Sequence, residues 1–183
     1  MLVLTLGVIV FFGIHLLPAL QKNRLLVAKL GEGKYKAGFS VITLIGLGLI
    51  IWGFQLAEFV PLWTPLPFGR TLAMSLMPFA IILLCAADAP NNIKRFVRHP
   101  MLIGITIWAG VHLLANGDLA SSIIFTSFLV FSLFDILAVE LSGRFKTREA
   151  VSPLWDLGVV AVGLALFSVL FYFHGSFTGM PLR

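Results

Sequence analysis

Charge is what this chain has least of. Asp, Glu, Lys and Arg make up 11% of its 183 residues, against about a quarter in an ordinary soluble domain, which excludes a soluble globular fold. Cysteine is almost missing: Cys85 stands alone, so one chain can form neither an intrachain disulfide nor a cysteine metal site. Also missing are a glycine-rich phosphate loop, a nucleophile elbow and an HExxH zinc motif. No window alternates with period two, which excludes a β-barrel. Disorder is excluded by the opposite of scarcity, since 59% of the residues are hydrophobic and 17 are Phe, the reverse of a disordered composition.

What is present is apolar length. Mean hydropathy is +1.02, and six windows carry almost no charge: residues 2–21, 37–57, 71–87, 100–117, 119–139 (broken by Asp135) and 157–182. Crossing a bilayer as a helix takes about 20 residues, and a helix satisfies its own backbone groups in lipid. The windows predict an all-α, polytopic membrane helical bundle of six transmembrane helices, forming a single transmembrane domain over 1–183. The third and fourth windows are the shortest and gain length from snorkelling end residues. The first window lacks a basic leader and a following small-x-small site, so it reads as a retained span rather than a cleaved signal.

Basic residues set the expected orientation. Lys22, Arg24, Lys29, Lys34 and Lys36 separate the first two windows; Lys94, Arg95 and Arg98 the third and fourth; Arg144, Lys146 and Arg148 the last two. Those three connections hold 11 of the 13 Lys and Arg, leaving Arg70 and Arg183. The positive-inside rule then places them in the cytoplasm and both termini outside. The net charge of +5 is thereby a matter of topology, with no nucleic-acid partner implied. The opposite connections differ in kind. Residues 60–67, VPLWTPLP, form a proline-rich apolar link with Trp63 suited to the headgroup belt. Asn116, Gly117 and Asp118 read as a tight turn using positive φ, with Asp118 capping the next helix. Gly46, Gly48, Gly53, Gly158 and Gly163 are expected to let helices approach closely.

Polar residues at depth carry the functional information, because lipid makes each one expensive. His15 precedes Lys22 by seven residues, about 10 Å at the helical rise, and His112 precedes Asp118 by six, about 9 Å. A neutral imidazole at such depth suits a haem iron or a hydrogen bond to a neighbouring helix. His99, between Arg98 and the helix-starting Pro100, sits in a basic cluster suited to an anionic headgroup, propionate or cofactor phosphate. His174, beside Tyr172, reads as interfacial. Asp135 and Glu140 want cationic partners, with Arg144 and the Lys94–Arg98 cluster on offer. Gln55 and Glu58 share a helical face and read as helix-end and packing groups.

Two segments carry a family resemblance. Residues 88–104, DAPNNIKRFVRHPMLIG, run on to residues 108–118, WAGVHLLANGD, so that His99 and His112 lie thirteen residues apart. With FFGIH at residues 11–15 and the VPLWTPLP link, this resembles the NnrU family of bacterial inner-membrane proteins along nearly the whole chain. The family is named for an association with nitrite and nitric oxide reduction, and its plant and cyanobacterial relative is the zeta-carotene cis–trans isomerase, a membrane protein that uses haem b. The resemblance implies haem b as cofactor, with His112 and His15 at the positions that match the isomerase's haem-linked histidines, and Arg98 and His99 as further cofactor-binding residues. It also implies the bilayer, a hydrophobic small-molecule substrate and a membrane redox or denitrification partner; the catalytic residues and the reaction stay open. A second resemblance, of Arg98-His99-Pro100-x-x-x-Gly104 to the RHPxYxG element of membrane methyltransferases, implies S-adenosylmethionine at that motif instead, though Leu102 replaces the tyrosine. The third reading is a non-enzymatic denitrification or assembly factor.

Overall fold

The computed structural model describes residues 1–20, 23–143, 149–179 and 182. Among them eight helices follow in order: α1 (Leu2–Ala19), α2 (Arg24–Leu30), α3 (Glu32–Gln55), α4 (Gly69–Ala86), α5 (Ile93–Phe96), α6 (Pro100–Ala115), α7 (Leu119–Leu141) and α8 (Pro153–Thr178). They fall into two compact units, Met1–Val60 and Pro61–Arg183.

Helices α1, α3, α4, α7 and α8 are long and apolar enough to cross a membrane, and the protein is an all-α, polytopic membrane-spanning helical bundle. These helices are apolar all round: Leu6, Ile9, Leu44, Ile45, Leu133, Leu137, Val162 and Leu166 are exposed where a soluble helix would carry polar residues. The fourth window yields a shorter helix. Helix α6 has 16 residues, about 24 Å at the helical rise, because Asn116 turns to extended backbone at φ −126° and ψ 142°.

The stretch between the first two windows, expected as a basic loop, is itself helical. Helix α2 ends at Gly31, whose φ of 81° redirects the chain at a conformation only glycine takes cheaply. Helix α3 then begins at Glu32, and its first turns carry Lys34 and Lys36, the latter paired with Glu32 at 2.7 Å. Lys22, Arg144, Lys146, Arg148 and Arg183 lie outside the described residues.

In the first unit α3 packs on α1 and α2. Its seam with α1 is made of glycine facing backbone. A Cβ on Gly46 would meet Phe11 Cα at 2.9 Å, one on Gly53 would meet Leu4 Cα at 2.6 Å, and one on Gly7 would meet Ile50 N at 2.6 Å. Such small-residue seams maximise van der Waals contact where lipid supplies no hydrophobic drive between helices. Gly48 and Gly158 do not take part, contrary to expectation: a Cβ at either has open space around it. Gly163 does, against Ile82 of α4.

In the second unit α4 packs against α6 and α8, and α6 against α7. The buried side chains include many small ones, among them Ala80, Ala86, Ala109, Ala120 and Ser132. A hydrogen bond joins α6 to α7, between Thr106 Oγ1 and Ser132 Oγ at 2.9 Å. Asp118 caps α7 as the sequence predicts, accepting from Ser121 N at 2.9 Å, and Pro100 opens α6.

The turn at residues 116–118 works differently from the expected one. Positive φ occurs only at Gly31, Gly143 and Gly179 among the described residues. Gly117 is required by proximity instead: the VPLWTPLP link lies on it, with Leu62 N and Trp63 N both donating to Gly117 O at 2.7 and 3.1 Å. A Cβ on Gly117 would run into the Trp63 carbonyl oxygen. The link is pinned again where Leu66 N donates to Leu114 O at 3.1 Å.

At the opposite end of the unit Asn92 joins the α4–α6 connection to the start of α8. Its side chain mimics a peptide group toward Val151, donating to Val151 O at 2.9 Å and accepting from Val151 N at 3.0 Å. Its Nδ2 and backbone N–H also donate to the two Asp156 carboxylate oxygens, each at 2.6 Å. Asp156 lies in the first turn of α8, where a negative charge suits the helix dipole.

Candidate functional site

The RHP motif and the histidine thirteen residues later bracket α6, so they serve opposite ends of the helix, roughly 20 Å apart at the helical rise. At the first end Arg98 and His99 converge on one carboxylate. Glu140, near the end of α7, takes His99 Nε2 at 2.9 Å on one oxygen and Arg98 Nη1 at 3.3 Å on the other. Glu140 thus finds its cation in the Lys94–Arg98 cluster and its histidine neighbour, one of the partners the sequence offers. Arg144, the other partner weighed for these acids, lies outside the described residues. Asn91 braces the same connection by donating to Ala86 O and Ala89 O, each at 2.7 Å, and accepting from Lys94 N at 3.1 Å.

At the far end His112 stands in the last turn of α6, half-buried among aromatic rings. Phe125 of α7 stacks on it at 4.6 Å and 30°, Trp108 lies at 5.5 Å, and Trp108 is held in turn by edge contacts with Phe125 and Phe128. His112 Nδ1 is 2.7 Å from Trp108 O. A carbonyl only accepts, so Nδ1 carries the proton and Nε2 carries the lone pair of the neutral ring. The following residue pair closes the helix: Asn116 donates from its backbone and its Nδ2 to His112 O at 2.9 and 2.8 Å.

His112 lines a cavity of about 240 Å³ bounded by α4, α6 and α8, with Met74, Met77, Asn116, Phe171 and His174 among its walls. Arg70 also borders it and donates to the Leu182 carbonyl. His174, which the sequence reads as interfacial, was left out of the candidate ligands. It lines this cavity, with its ring centre 6.5 Å from that of His112 and the planes 24° apart. The signal was available, since His174 is a histidine inside an apolar span, but nearby Tyr172 made an interfacial position the simpler reading.

His15 belongs to the first unit and shows the same local device. Its Nδ1 is 2.6 Å from Phe11 O, which again puts the proton on Nδ1 and the lone pair on Nε2. Phe11 stacks on the ring at 4.3 Å and Phe39 of α3 meets it edge-on at 5.0 Å. Tyr35, one turn before Phe39, buries a hydroxyl that has no hydrogen-bond partner.

The donor chemistry of His15 and His112 fits haem iron. A ligating histidine characteristically donates its other ring N–H to a carbonyl, which fixes the tautomer and raises the basicity of the ligating nitrogen. The cavity beside His112, about 240 Å³, is below the ~300 Å³ at which drug-sized pockets begin; haem iron sits at the centre of its macrocycle, and this cavity as it stands is too small to enclose one. Among the described residues no group of three or more His, Cys, Asp or Glu gathers into a metal cage. That excludes nothing for a porphyrin, which needs one or two axial ligands from the protein.

A family model described as NnrU protein matches residues 3–182. No curated protein and no solved structure matches the chain.

Proposed function

The chain belongs to the NnrU family, and from that premise we propose a multi-pass bacterial inner-membrane protein that holds haem b on buried histidines, with His112 as the principal iron ligand and His15 as its second candidate. The observation that carries the reading is the Trp108 carbonyl on His112 Nδ1 at 2.7 Å, which leaves the lone pair on Nε2, the tautomer of a ligating histidine. Bound haem supplies an iron centre able to exchange one electron, whose potential the protein sets through axial ligand and burial. Phe125 and Trp108 hold the imidazole plane, beside a cavity whose walls are mostly apolar. Such a centre serves either nitrite and nitric oxide metabolism, with a membrane redox partner, or a redox-dependent isomerisation of a hydrophobic substrate drawn from the bilayer. Arg98 and His99, with Glu140 between them, form the basic edge at which an anionic headgroup would compete for Arg98, at the opposite end of α6 from His112 and beyond the reach of a propionate of haem held there.

Protein purified in detergent from haem-replete cells is expected to be coloured, with a Soret band that shifts on reduction. Colourless protein of native fold sinks the reading. It would turn attention to S-adenosylmethionine at the RHP motif or to a non-enzymatic assembly role.

The proposal includes six spans in one domain, α6 being the short one, with both termini outside. The basis is the 11 of 13 Lys and Arg on alternate connections and the positive-inside rule. A reporter that works only outside the cytoplasm, fused after Arg183, should be active. Activity of a cytoplasmic reporter at that position would overturn the orientation or the number of spans.

A further inference from the structure

We propose that the cavity between α4, α6 and α8 binds a single-chain amphiphile with an anionic head, a long-chain carboxylate, its head on Arg70 and its chain between α4 and α8. The proposal stands apart from the haem reading, since it takes no ring nitrogen of His15 or His112. The cavity has two unlike ends. On α4 its lining falls at Arg70, Met74, Met77 and Ile81, the three- and four-residue spacing of one helical face. That stripe begins with a guanidinium and is apolar from there on, over about 16 Å at the helical rise. The Arg70 end is fixed by two contacts. A Cβ on Gly69 would meet Ala115 Cα at 3.1 Å, so the start of α4 abuts the end of α6, and Arg70 donates to the Leu182 carbonyl beyond α8. Past Ile81 the helices come together, where a Cβ on Gly163 of α8 would meet Ile82 Cα at 2.9 Å. Leu170 of α8 lines the cavity and is exposed, so the wall reaches the lipid-facing surface from which a chain would enter.

Arg70 is the feature that calls for an anion. The three connections that hold 11 of the 13 Lys and Arg have their reason in topology, and Arg70 is not on them. It stands in the first turn of α4, where the helix dipole disfavours a cation and favours an anion. Its guanidinium carries five N–H donors in a planar fork. The Leu182 carbonyl takes one, and among the described residues no carboxylate pairs with Arg70. A carboxylate is the group that such a fork binds through two parallel hydrogen bonds. The size of the cavity selects the rest of the ligand. About 240 Å³ gives room for a small head and one chain segment, whereas a glycerophospholipid brings two chains and a glycerol. A plain hydrocarbon would fill the apolar walls and leave Arg70 without its anion. Met74 and Met77 suit a chain of no fixed shape, because the unbranched thioether adapts to irregular gaps.

The test is binding of dodecanoate to the purified protein in phosphatidylcholine nanodiscs, with dodecanol as the uncharged probe of equal chain length and empty nanodiscs to subtract partition into lipid. Wild type is expected to bind one dodecanoate per chain, at least about tenfold tighter than dodecanol, the worth of one charge-assisted hydrogen bond. Arg70→Gln should lose that preference. Arg95→Gln, an exposed cation beyond the other end of α4, should keep it. Met77→Trp, which fills the cavity, should weaken both probes. Equal binding of the two probes by wild type overturns the proposal and needs no variant to fold. An unchanged preference in Arg70→Gln, or unchanged affinities in Met77→Trp, overturns it as well. Displacement of dodecanoate by phosphatidylglycerol at equal mole fraction gives the site to a two-chain lipid and overturns the single-chain occupant. The haem spectrum is a separate readout, so colourless protein that prefers dodecanoate removes the haem reading alone.

Discussion

On the proposed haem reading, replacing His112 with Ala is expected to abolish the haem spectrum of the purified protein, while the chain still inserts and is recovered in normal amount. Alanine is the best helix former and costs nothing at a membrane depth, so α6 keeps its span. Two quantities separate this outcome from a merely structural histidine. A structural role would lose the contact with Trp108 O within the same helix at 2.7 Å, and a typical hydrogen bond is worth about 0.5–1.5 kcal/mol net. Such a loss lowers thermal stability slightly and leaves any chromophore unchanged. Loss of an iron ligand removes or reshapes the whole absorption envelope. Imidazole added to the His112→Ala protein should restore part of the spectrum, since the space vacated beside Phe125 and Trp108 has the shape of the missing ring. A wild-type spectrum in His112→Ala refutes ligation by this residue.

The second large effect concerns the α1–α3 seam, where two glycines of one helix should respond with opposite sign. In a helix interior Ala is favoured over Gly by about 0.8–1.0 kcal/mol. At Gly48 nothing lies within 4 Å of an added Cβ, so Gly48→Ala realises that preference and stabilises. At Gly53 the added Cβ meets Leu4 Cα at 2.6 Å and Val3 C at 2.9 Å. These are backbone atoms of α1 that cannot swing aside as a side-chain end would. Overpacking of this kind costs about 1–3 kcal/mol or more, which exceeds the propensity gain, so Gly53→Ala destabilises. Unfolding in mixed detergent micelles measures both. A stabilised Gly53→Ala would mean that α1 and α3 do not meet at this seam.

Much of this protein was determined by the sequence alone, and the reason is the solvent. In lipid each segment must satisfy its own backbone, so a helix is decided segment by segment from local apolar length. That is why the six windows match α1, α3, α4, α6, α7 and α8, and why Pro100 and Asp118 mark the starts they predict. The same locality makes His15 and His112 legible as candidate ligands, because depth along one helix needs no knowledge of another.

Which helices meet was decided only by the tertiary structure. Lipid is as apolar as leucine, so hydropathy does not distinguish a face turned to lipid from one turned to a neighbour, and pairing depends on packing of side-chain shapes. Gly48 and Gly53 are indistinguishable by composition, yet only Gly53 touches α1. Gly117 looked like a turn residue until Trp63, far earlier in the chain, was seen to lie on it. Glu140 gathers Arg98 and His99, and His174 comes to 6.5 Å from His112, across separations in sequence that no period or spacing encodes. Local polarity is written in the segment, whereas the partner of a buried polar group is a property of the packed whole.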